Sequence, residues 1–397
     1  MHSTFVKISC LLALGVAFAG PAGAQLPQVQ LPQVPLPGAP VPGLPEATHA
    51  ADATLRELAG ARALRVEQLV RQHRAELDRD PRGELVVRAE VVAIDITDAA
   101  LALALQAQFK VLRTDELADL GVKITVLQTP EGMSARRGLK KLRKLDPEGS
   151  YDFNHVYLES GASLAVVAQQ AQAVELPAVG GGAVRVGLID GGIDANHVSL
   201  RANVVHAVGC DGRPVPSAHG TAVASLLAGS SASFRGAAPG AELFAVDVYC
   251  GRPAGGAVDS VAAAFGWMAR HRVAVINVSL VGPRNALLER VVASLVSRGH
   301  LIVAAVGNDG PAAPPLYPAA YEGVLAVTAV DARHRVLLEA CRGKHLDLAA
   351  LGADISAAAE GQPDGFAAVR GTSFASPIVA GVLAKALPVP DSAVRMQ

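Results

Sequence analysis

The chain lacks an excess of charge of either sign and has few aromatic residues. Its 397 residues include 35 Lys and Arg and 36 Asp and Glu, which gives a formal net charge of −1. Overall charge therefore does not indicate a polyelectrolyte partner such as nucleic acid. Aromatic residues make up only 4% of the chain, whereas 51% is hydrophobic and rich in alanine and valine. A chain of this length can form two or three domains with a full-sized core.

The sequence also lacks an apolar run long enough to cross a membrane, which takes about 20 residues. A shorter run, Cys10 to Ala19, follows Lys7 and precedes Ala22-Gly23-Ala24. This order is typical of a secretory signal with an A-x-A cleavage site. We therefore expect residues 1–24 to be a signal peptide, and the mature protein to be secreted or periplasmic without a membrane anchor.

Cysteine is scarce, and its spacing does not match a metal site. Beyond the signal only Cys210, Cys250 and Cys341 remain, and the sequence has no C-x-x-C or H-x-x-x-H pattern. An oxidising compartment allows one disulfide and leaves one thiol over. We expect the disulfide to join Cys210 and Cys250, and we expect neither a metal nor another cofactor.

The segment after the signal reads as a linker followed by a helix. Residues 25–47 contain repeated prolines among Leu, Val, Gln and Gly, a composition typical of an extended polyproline-II spacer. Within 48–83, leucines recur among Arg, Glu and Gln from about residue 51 to 79, and Pro81-Arg82-Gly83 follows. This pattern predicts a solvated amphipathic helix without chemistry.

Residues 84–160 alternate strand-like and helical patterns in the order β-α-β-β-α-β. That order predicts a small α+β domain of the ferredoxin-like type. Its second helix is strongly basic, with Lys or Arg at positions 136, 137, 140, 141, 143 and 144. Such a run can bind nucleic acid, but Leu139, Leu142 and Leu145 lie between the charges. We therefore interpret it as the solvated face of a packed helix and expect no nucleic-acid partner.

From residue 183 to 397 short apolar strands alternate with helical patterns. The preceding segment, 161–182, is rich in Ala, Gln and Gly and predicts an exposed, cleavable linker. The predicted strands are 184–189, 242–248, 273–278, 300–306 and 324–330. Continuous apolar strands separated by helices indicate an α/β domain, a parallel sheet covered on both faces. In such sheets the functional loops follow the carboxyl ends of the strands.

Four polar residues lie in loops of this kind. Asp190 ends the first strand, Asn308 follows the fourth, and His219 opens a helix of small residues. Ser373 stands in a small-residue turn before Pro377, a residue suited to the first turn of a helix. Each is, taken alone, an ordinary turn or cap residue. Together they supply a carboxylate, an imidazole, a hydroxyl and an amide donor.

These groups are the parts of a nucleophilic relay. Ser373 would attack a carbonyl, His219 would take and return its proton, and Asp190 would orient the imidazole and stabilise its charged form. Asn308 and the Ser373 backbone N–H would hydrogen-bond the oxyanion that the attack creates.

The segments that carry these residues resemble the subtilase (subtilisin-like) serine peptidases. The likeness rests on the runs Gly371-Thr372-Ser373-Phe374-Ala375-Ser376-Pro377 and His219-Gly220-Thr221-Ala222-Val223-Ala224, and on the order Asp, His, Ser. It covers about residues 184–386 and implies a three-layer α/β sandwich and an endopeptidase that hydrolyses proteins or peptides through an acyl-enzyme. It also implies that Ser279, Leu280 and Val281 pair with the substrate backbone, although these residues could equally be an ordinary strand end.

The resemblance gives the ferredoxin-like domain a role as well. Many subtilases carry such a domain as a propeptide that assists folding and blocks the cleft, so residues 84–160 would be an intramolecular chaperone and inhibitor, removed by self-cleavage within 161–182. A permanent accessory domain is the alternative. Two other functions stay open: an inactive relative that acts as a binding or structural protein, and an esterase with the same relay.

Two further expectations concern the substrate and the assembly. The small residues Val281 and Ala304-Ala305-Val306 indicate a modest apolar cleft, which would take a medium-sized apolar residue before the scissile bond. We expect the protein to be a monomer.

Overall fold

The computed structural model of the protein describes residues 60–160 and 184–393. The predicted signal peptide, the proline-rich linker and the cleavable linker lie outside the described residues. All described residues belong to one compact unit, 48–397. Among them, no helix is long and apolar enough to span a bilayer.

The N-terminal part has the ferredoxin-like order that the sequence predicts. A helix α1, described over 60–72, precedes the strands and helices β1 Leu77–Arg79, β2 Leu85–Ile94, α2 Asp98–Gln106, β3 Lys110–Leu117, β4 Val122–Gln128, α3 Ala135–Leu145 and β5 Ser150–His155. A short 3₁₀ helix, Ala118–Leu120, joins β3 to β4. The antiparallel sheet runs β3-β4-β2-β5, and β1 pairs with the start of β2. Helices α2 and α3 begin at side-chain caps, Thr97 and Ser134.

Helix α1 differs from the prediction in both extent and surroundings. It ends at residue 72, because Leu77 pairs with Val87 in the sheet and is fully buried, so strand pairing overrides the helical pattern there. The helix is not simply solvated either. Val66 is only 2% exposed and packs in an apolar cluster with Val156 and Leu158.

The C-terminal part is built on a seven-stranded parallel sheet. Its elements follow the short strand β6 Leu158–Glu159 and are β7 Arg185–Asp190, β8 Val205–Gly209, α4 Ala218–Ala228, β9 Glu242–Asp247, α5 Val258–Arg270, β10 Val275–Val278, β11 Leu280–Val281, α6 Ala286–Ser297, β12 Leu301–Ala305, β13 Val324–Val330, β14 Leu348–Leu351, β15 Ala353–Ala358, β16 Phe366–Arg370 and α7 Thr372–Ala386. The sheet order is β14-β13-β12-β10-β7-β9-β8. Strands β15 and β16 form a separate hairpin.

Two apolar layers cover this sheet, as the α/β prediction requires. Helices α5 and α6 pack on one face and α4 and α7 on the other, each with its own cluster of buried residues. The five predicted parallel strands are present; the edge strands β8 and β14 are additional. The central position of β7 places the end of that strand, Asp190, in the middle of the carboxyl edge.

One face of the ferredoxin-like sheet packs against its own helices α2 and α3, and the other face packs against helices α5 and α6. Leu120 and Ile124 belong to the same buried cluster as Phe265 and Leu288. Ser294 of α6 donates a hydrogen bond of 2.8 Å to the Leu120 carbonyl.

Ion pairs and a helix cap fix the rim of this interface. Arg113 of β3 lies 2.5 Å from Asp259 of α5 and 3.0 Å from Glu90. The Asp152 carboxylate accepts the Ala286 N–H at 2.8 Å, so it sits at the N-terminus of α6, where a negative charge is favourable.

Candidate active site

Asp190 and His219 form a buried pair at the carboxyl edge of the sheet. The Asp190 Oδ1 atom accepts the Gly191 N–H at 2.6 Å and lies 2.8 Å from His219 Nδ1. Because a carboxylate only accepts, this contact puts a proton on Nδ1. Helix α4 comes this close because Gly220 has no side chain: a Cβ there would lie 2.3 Å from the Gly191 carbonyl oxygen.

The electrostatics of this pair favour a charged imidazole. Burial acts to lower the pKa of His219, but the Asp190 charge and hydrogen bond, together with the Glu159 charge, raise it overall. The other ring nitrogen, Nε2, is buried and has no hydrogen-bond partner among the described residues. It is the ring atom available to exchange a proton.

Ser373 lies in the first turn of α7, buried beside this pair. Its neighbour Phe374 packs against the His219 ring, with centroids 5.4 Å apart. The Ser373 hydroxyl donates to the Ser279 carbonyl at 3.4 Å. Among the described residues no hydrogen bond joins the Ser373 hydroxyl to His219 Nε2, so the contact between the predicted nucleophile and its predicted base stays a prediction.

Pro377 lies inside α7, not at its start, so that detail of the prediction is wrong. The helix begins at Thr372, and a proline at 377 cannot donate to the Ser373 carbonyl four residues earlier. The Ser279 hydroxyl satisfies that carbonyl instead, at 3.0 Å, and it also lies 3.1 Å from the Ser376 hydroxyl. The side chain of Ser279 therefore supports the turn that carries Ser373.

Asn308 is held by the start of the same helix. Its Oδ1 atom accepts the Thr372 N–H at 3.1 Å, which fixes the orientation of the amide. Its Nδ2 atom donates to the carbonyl of Ser160. The Ser160 carbonyl oxygen therefore lies against the Asn308 amide, which Thr372 ties to the start of α7.

The residues before this carbonyl occupy the cleft as a strand. Strand β6 pairs antiparallel with β11, so that Glu159 faces Leu280 and Leu158 faces Val281. On the same segment, the Ser160 N–H donates to the Ser279 carbonyl at 3.2 Å, and the Tyr157 N–H donates to the Gly256 carbonyl at 2.8 Å. The three residues predicted to bind a substrate backbone thus bind residues 158–160 of this chain.

Three residues near the site, Glu159, Arg65 and Arg62, are not predicted from the sequence. Glu159, Asp190 and His219 bring potential ligand atoms within 4.8 Å of one another. Arg65 of α1 donates to the Glu159 carbonyl at 3.4 Å, and Arg62 pairs with Asp309, next to Asn308, at 3.4 Å. No local pattern marks these residues, because their partners are far away in the sequence.

The three cysteines of the described residues form one disulfide and one buried thiol. Cys210 and Cys250 form a disulfide, the pairing expected from the sequence, and Cys341 is a buried free thiol. Asp247 lies beside the disulfide, but its carboxylate already accepts N–H bonds from Val215, Tyr249 and Cys250. We assign neither this group nor the one around His219 to a metal.

The amino-acid sequence is similar to one protein family and to several of its characterised members. Residues 181–393, more than half of the chain, match the model of the Subtilase family. The chain is 35% identical over 254 residues to the M-protease of Shouchella clausii (strain KSM-K16), a match that covers 61% of this chain and 64% of that protein. It is 36% identical over 219 residues to Subtilisin BL of Lederbergia lenta, covering 54% of this chain and 80% of that protein. The match to the M-protease therefore spans less than two thirds of its length.

A solved structure shares the fold. The crystal structure of fervidolysin from Fervidobacterium pennivorans, described as a keratinolytic enzyme related to subtilisin, matches with a TM-score of 0.63 at 19% identity. The match covers 78% of this chain and 55% of that one. At this identity the likeness concerns the fold alone.

Proposed function

The chain belongs to the subtilase family, and on this premise we propose that it is an exported serine endopeptidase made as a precursor that cleaves itself. The observation that carries the proposal is the Ser160 carbonyl. It accepts a hydrogen bond from Asn308 beside the Asp190–His219 pair and Ser373. The peptide bond that follows this carbonyl is therefore positioned as the scissile bond of a substrate would be.

The proposed relay uses the side chains of Ser373, His219 and Asp190. Ser373 Oγ attacks the carbonyl carbon while His219 Nε2 takes the hydroxyl proton and then delivers it to the leaving amine. Asp190, 2.8 Å from Nδ1, keeps the ring in the tautomer that leaves Nε2 free and stabilises the imidazolium. Water then hydrolyses the acyl-enzyme by the same relay.

The oxyanion is stabilised by donors fixed before the reaction starts. Asn308 Nδ2 donates to the carbonyl oxygen, and the Thr372 N–H bond to Oδ1 prevents the amide from rotating. The Ser373 backbone N–H, at the N-terminus of α7, is the second donor.

The first substrate is the chain itself, at the bond between Ser160 and Gly161. This bond joins residue 160 to the first residue of the segment 161–182, in which cleavage is predicted from the sequence. Residues 60–160 then act as chaperone and temporary inhibitor. Their strand β6 fills the cleft and their sheet packs on α5 and α6, so the cut product stays bound.

The decisive experiment compares wild type with Ser373→Ala in a host lacking other extracellular peptidases. Wild type should yield a mature chain whose first cut leaves Gly161 at the N-terminus, measured by intact mass and N-terminal sequencing. Ser373→Ala should remain uncut beyond the signal, because loss of this nucleophile costs about 10⁶ in kcat, a magnitude known from subtilisin. If both proteins are cut identically, self-processing is wrong.

A second measurement addresses the alternatives. A serine-directed phosphonate should label Ser373 in the mature chain, whereas an inactive relative would not react. Peptide and ester substrates with the same acyl group distinguish an endopeptidase from an esterase, which would turn over only the ester.

A further inference from the structure

Building on the proposed function, we infer that the subsite for the residue before the scissile bond accepts only small side chains. The enzyme then cleaves after serine or alanine and disfavours medium-sized and large apolar residues. This differs from the medium apolar residue that the sequence predicts.

Ser160 occupies the subsite in question. Its N–H bonds to the Ser279 carbonyl on one side, and its own carbonyl accepts from Asn308 on the other. It is only 3% exposed. Its side chain is therefore enclosed between the segment at 279–282 and the loop at 306–308.

The side chain of Ser160 is directed at Thr372, which also contacts Gly307. Its hydroxyl lies 3.1 Å from the Thr372 hydroxyl, which in turn accepts the Gly307 N–H at 3.2 Å. Thr372 thus offers a hydrogen-bond partner to a side chain as short as that of serine.

The side of Gly307 on which a side chain would stand is already filled by buried side chains. A Cβ built on Gly307 would lie 2.6 Å from Leu316 Cδ1, 3.2 Å from Cys341 Sγ and 3.6 Å from Val281 Cγ1. All three side chains are buried, so they cannot move aside into solvent. Overpacking such a region is unfavourable, and a larger residue has no room to enter.

Val281 is the wall residue best suited to a test. It lies on β11, opposite Leu158 of the bound segment, and its Cγ1 atom reaches the space above Gly307. Replacing it with glycine removes the side chain but leaves the backbone that pairs with substrate. Val389→Gly, at a half-exposed position outside the elements of the fold, is a matched control.

The test uses matured protein and peptides that copy residues 155–162 with serine, alanine, leucine or phenylalanine at position 160. Wild type and Val389→Gly should cleave the serine and alanine peptides with a kcat/KM about 10- to 200-fold above the phenylalanine peptide. Val281→Gly should reduce that ratio at least about tenfold. Equal or faster cleavage of the leucine and phenylalanine peptides by wild type would overturn the inference and leave the proposed function standing.

The precursor offers a second readout that does not require Val281→Gly to fold. Ser160→Ala should process itself at nearly the wild-type rate, and Ser160→Phe at least about tenfold more slowly. Equal rates for the two would overturn the inference. If no peptide is cut and wild type behaves like Ser373→Ala, the proposed function fails, and the inference fails with it.

Discussion

His219 lies near two carboxylates, Asp190 and Glu159, and under the proposed processing only Asp190 stays in the mature chain. Asp190 belongs to the relay, whereas Glu159 belongs to the segment that would be released. Both charges raise the pKa of the imidazole, against burial, which lowers it. Arg65 acts in the opposite direction on His219, and burial raises the pKa of Glu159 itself. A protonated His219 cannot accept the Ser373 proton.

We therefore predict that Glu159→Gln lets the precursor cleave itself at lower pH. Self-cleavage requires pH above the raised pKa of His219, and removing the Glu159 charge lowers that pKa, so the profile shifts toward acid. The measurement is the rate of precursor cleavage against pH. The control is the mature enzyme, which lacks residue 159. Its profile of kcat/KM against pH should be the same whether it is made from the wild-type or from the Glu159→Gln precursor. An unmoved precursor profile would show that Glu159 does not act on the relay.

Asn308 should matter for turnover far more than for binding. Asn308→Ala should lower kcat about 10²- to 10³-fold, the range known for an oxyanion donor of subtilisin, with little change in KM. Asn308→Asp is the matched variant, because its Oδ1 can still accept the Thr372 N–H while the donor at Nδ2 is gone. The two variants should lose kcat alike; an Asn308→Asp enzyme with near-wild-type kcat would contradict the role.

Helix α1 connects the N-terminal part to the catalytic edge. Arg62 is 13% exposed and lies 2.8 Å from Glu84 and 3.4 Å from Asp309. The apolar side of the helix packs near Val156 and Leu158, just before the bound bond. The helix therefore holds the inhibitory segment from outside the ferredoxin-like module.

Arg62→Gln should weaken this hold. Losing a partly buried, hydrogen-bonded ion pair costs about 1–3 kcal/mol, so the cleaved N-terminal part should dissociate about 5- to 150-fold faster. The readout is a shorter lag before peptide hydrolysis begins. Arg71→Gln, on the same helix but in an exposed pair with Glu67, is the control and should leave the lag unchanged. Equal lags for both variants would refute the role of α1.

The elements that the sequence predicts are those with strong local patterns. The order β-α-β-β-α-β and the central strands of the parallel sheet follow from alternating or continuous apolar residues. The edge strands β8 and β14 do not, because Val205–Gly209 and Leu348–Leu351 are partly exposed and lack a continuous buried pattern. The end of α1 was mispredicted for a related reason: Leu77 takes its strand conformation from a partner ten residues later.

At the level of the whole molecule, the disulfide links two loops that flank the cleft. It closes a loop with a sequence separation of 40, which by loop-closure entropy stabilises the fold by about 4 kcal/mol. Cys210→Ser, Cys250→Ser and the double variant, each in the Ser373→Ala background, should lose this amount equally in urea unfolding. Stability of the parent that is unchanged by reductant would contradict the prediction.

The residues of the proposed relay can be chosen from the sequence, but the segment that lies beside them in the structure cannot. Asp190 ends a strand, Asn308 follows one, and His219 and Ser373 lie in the first turns of helices, so the predicted topology puts all four at one edge of the sheet. That residues 157–160 lie in the cleft depends on how one domain docks on another. No local pattern in that segment records the pairing of Glu159 with Leu280 or the contact of Ser160 with Asn308.

The apolar seam between the ferredoxin-like sheet and helices α5 and α6 has a thermal consequence. Separation would hydrate Leu120, Ile124 and their partners, so it proceeds with a positive change in heat capacity. Hydrophobic association of this kind weakens on cooling. Cooling also raises the desolvation penalty of the ion pairs at the rim, such as Arg113 with Asp259. Under the proposed processing, we therefore expect the cleaved N-terminal part to dissociate most readily in the cold.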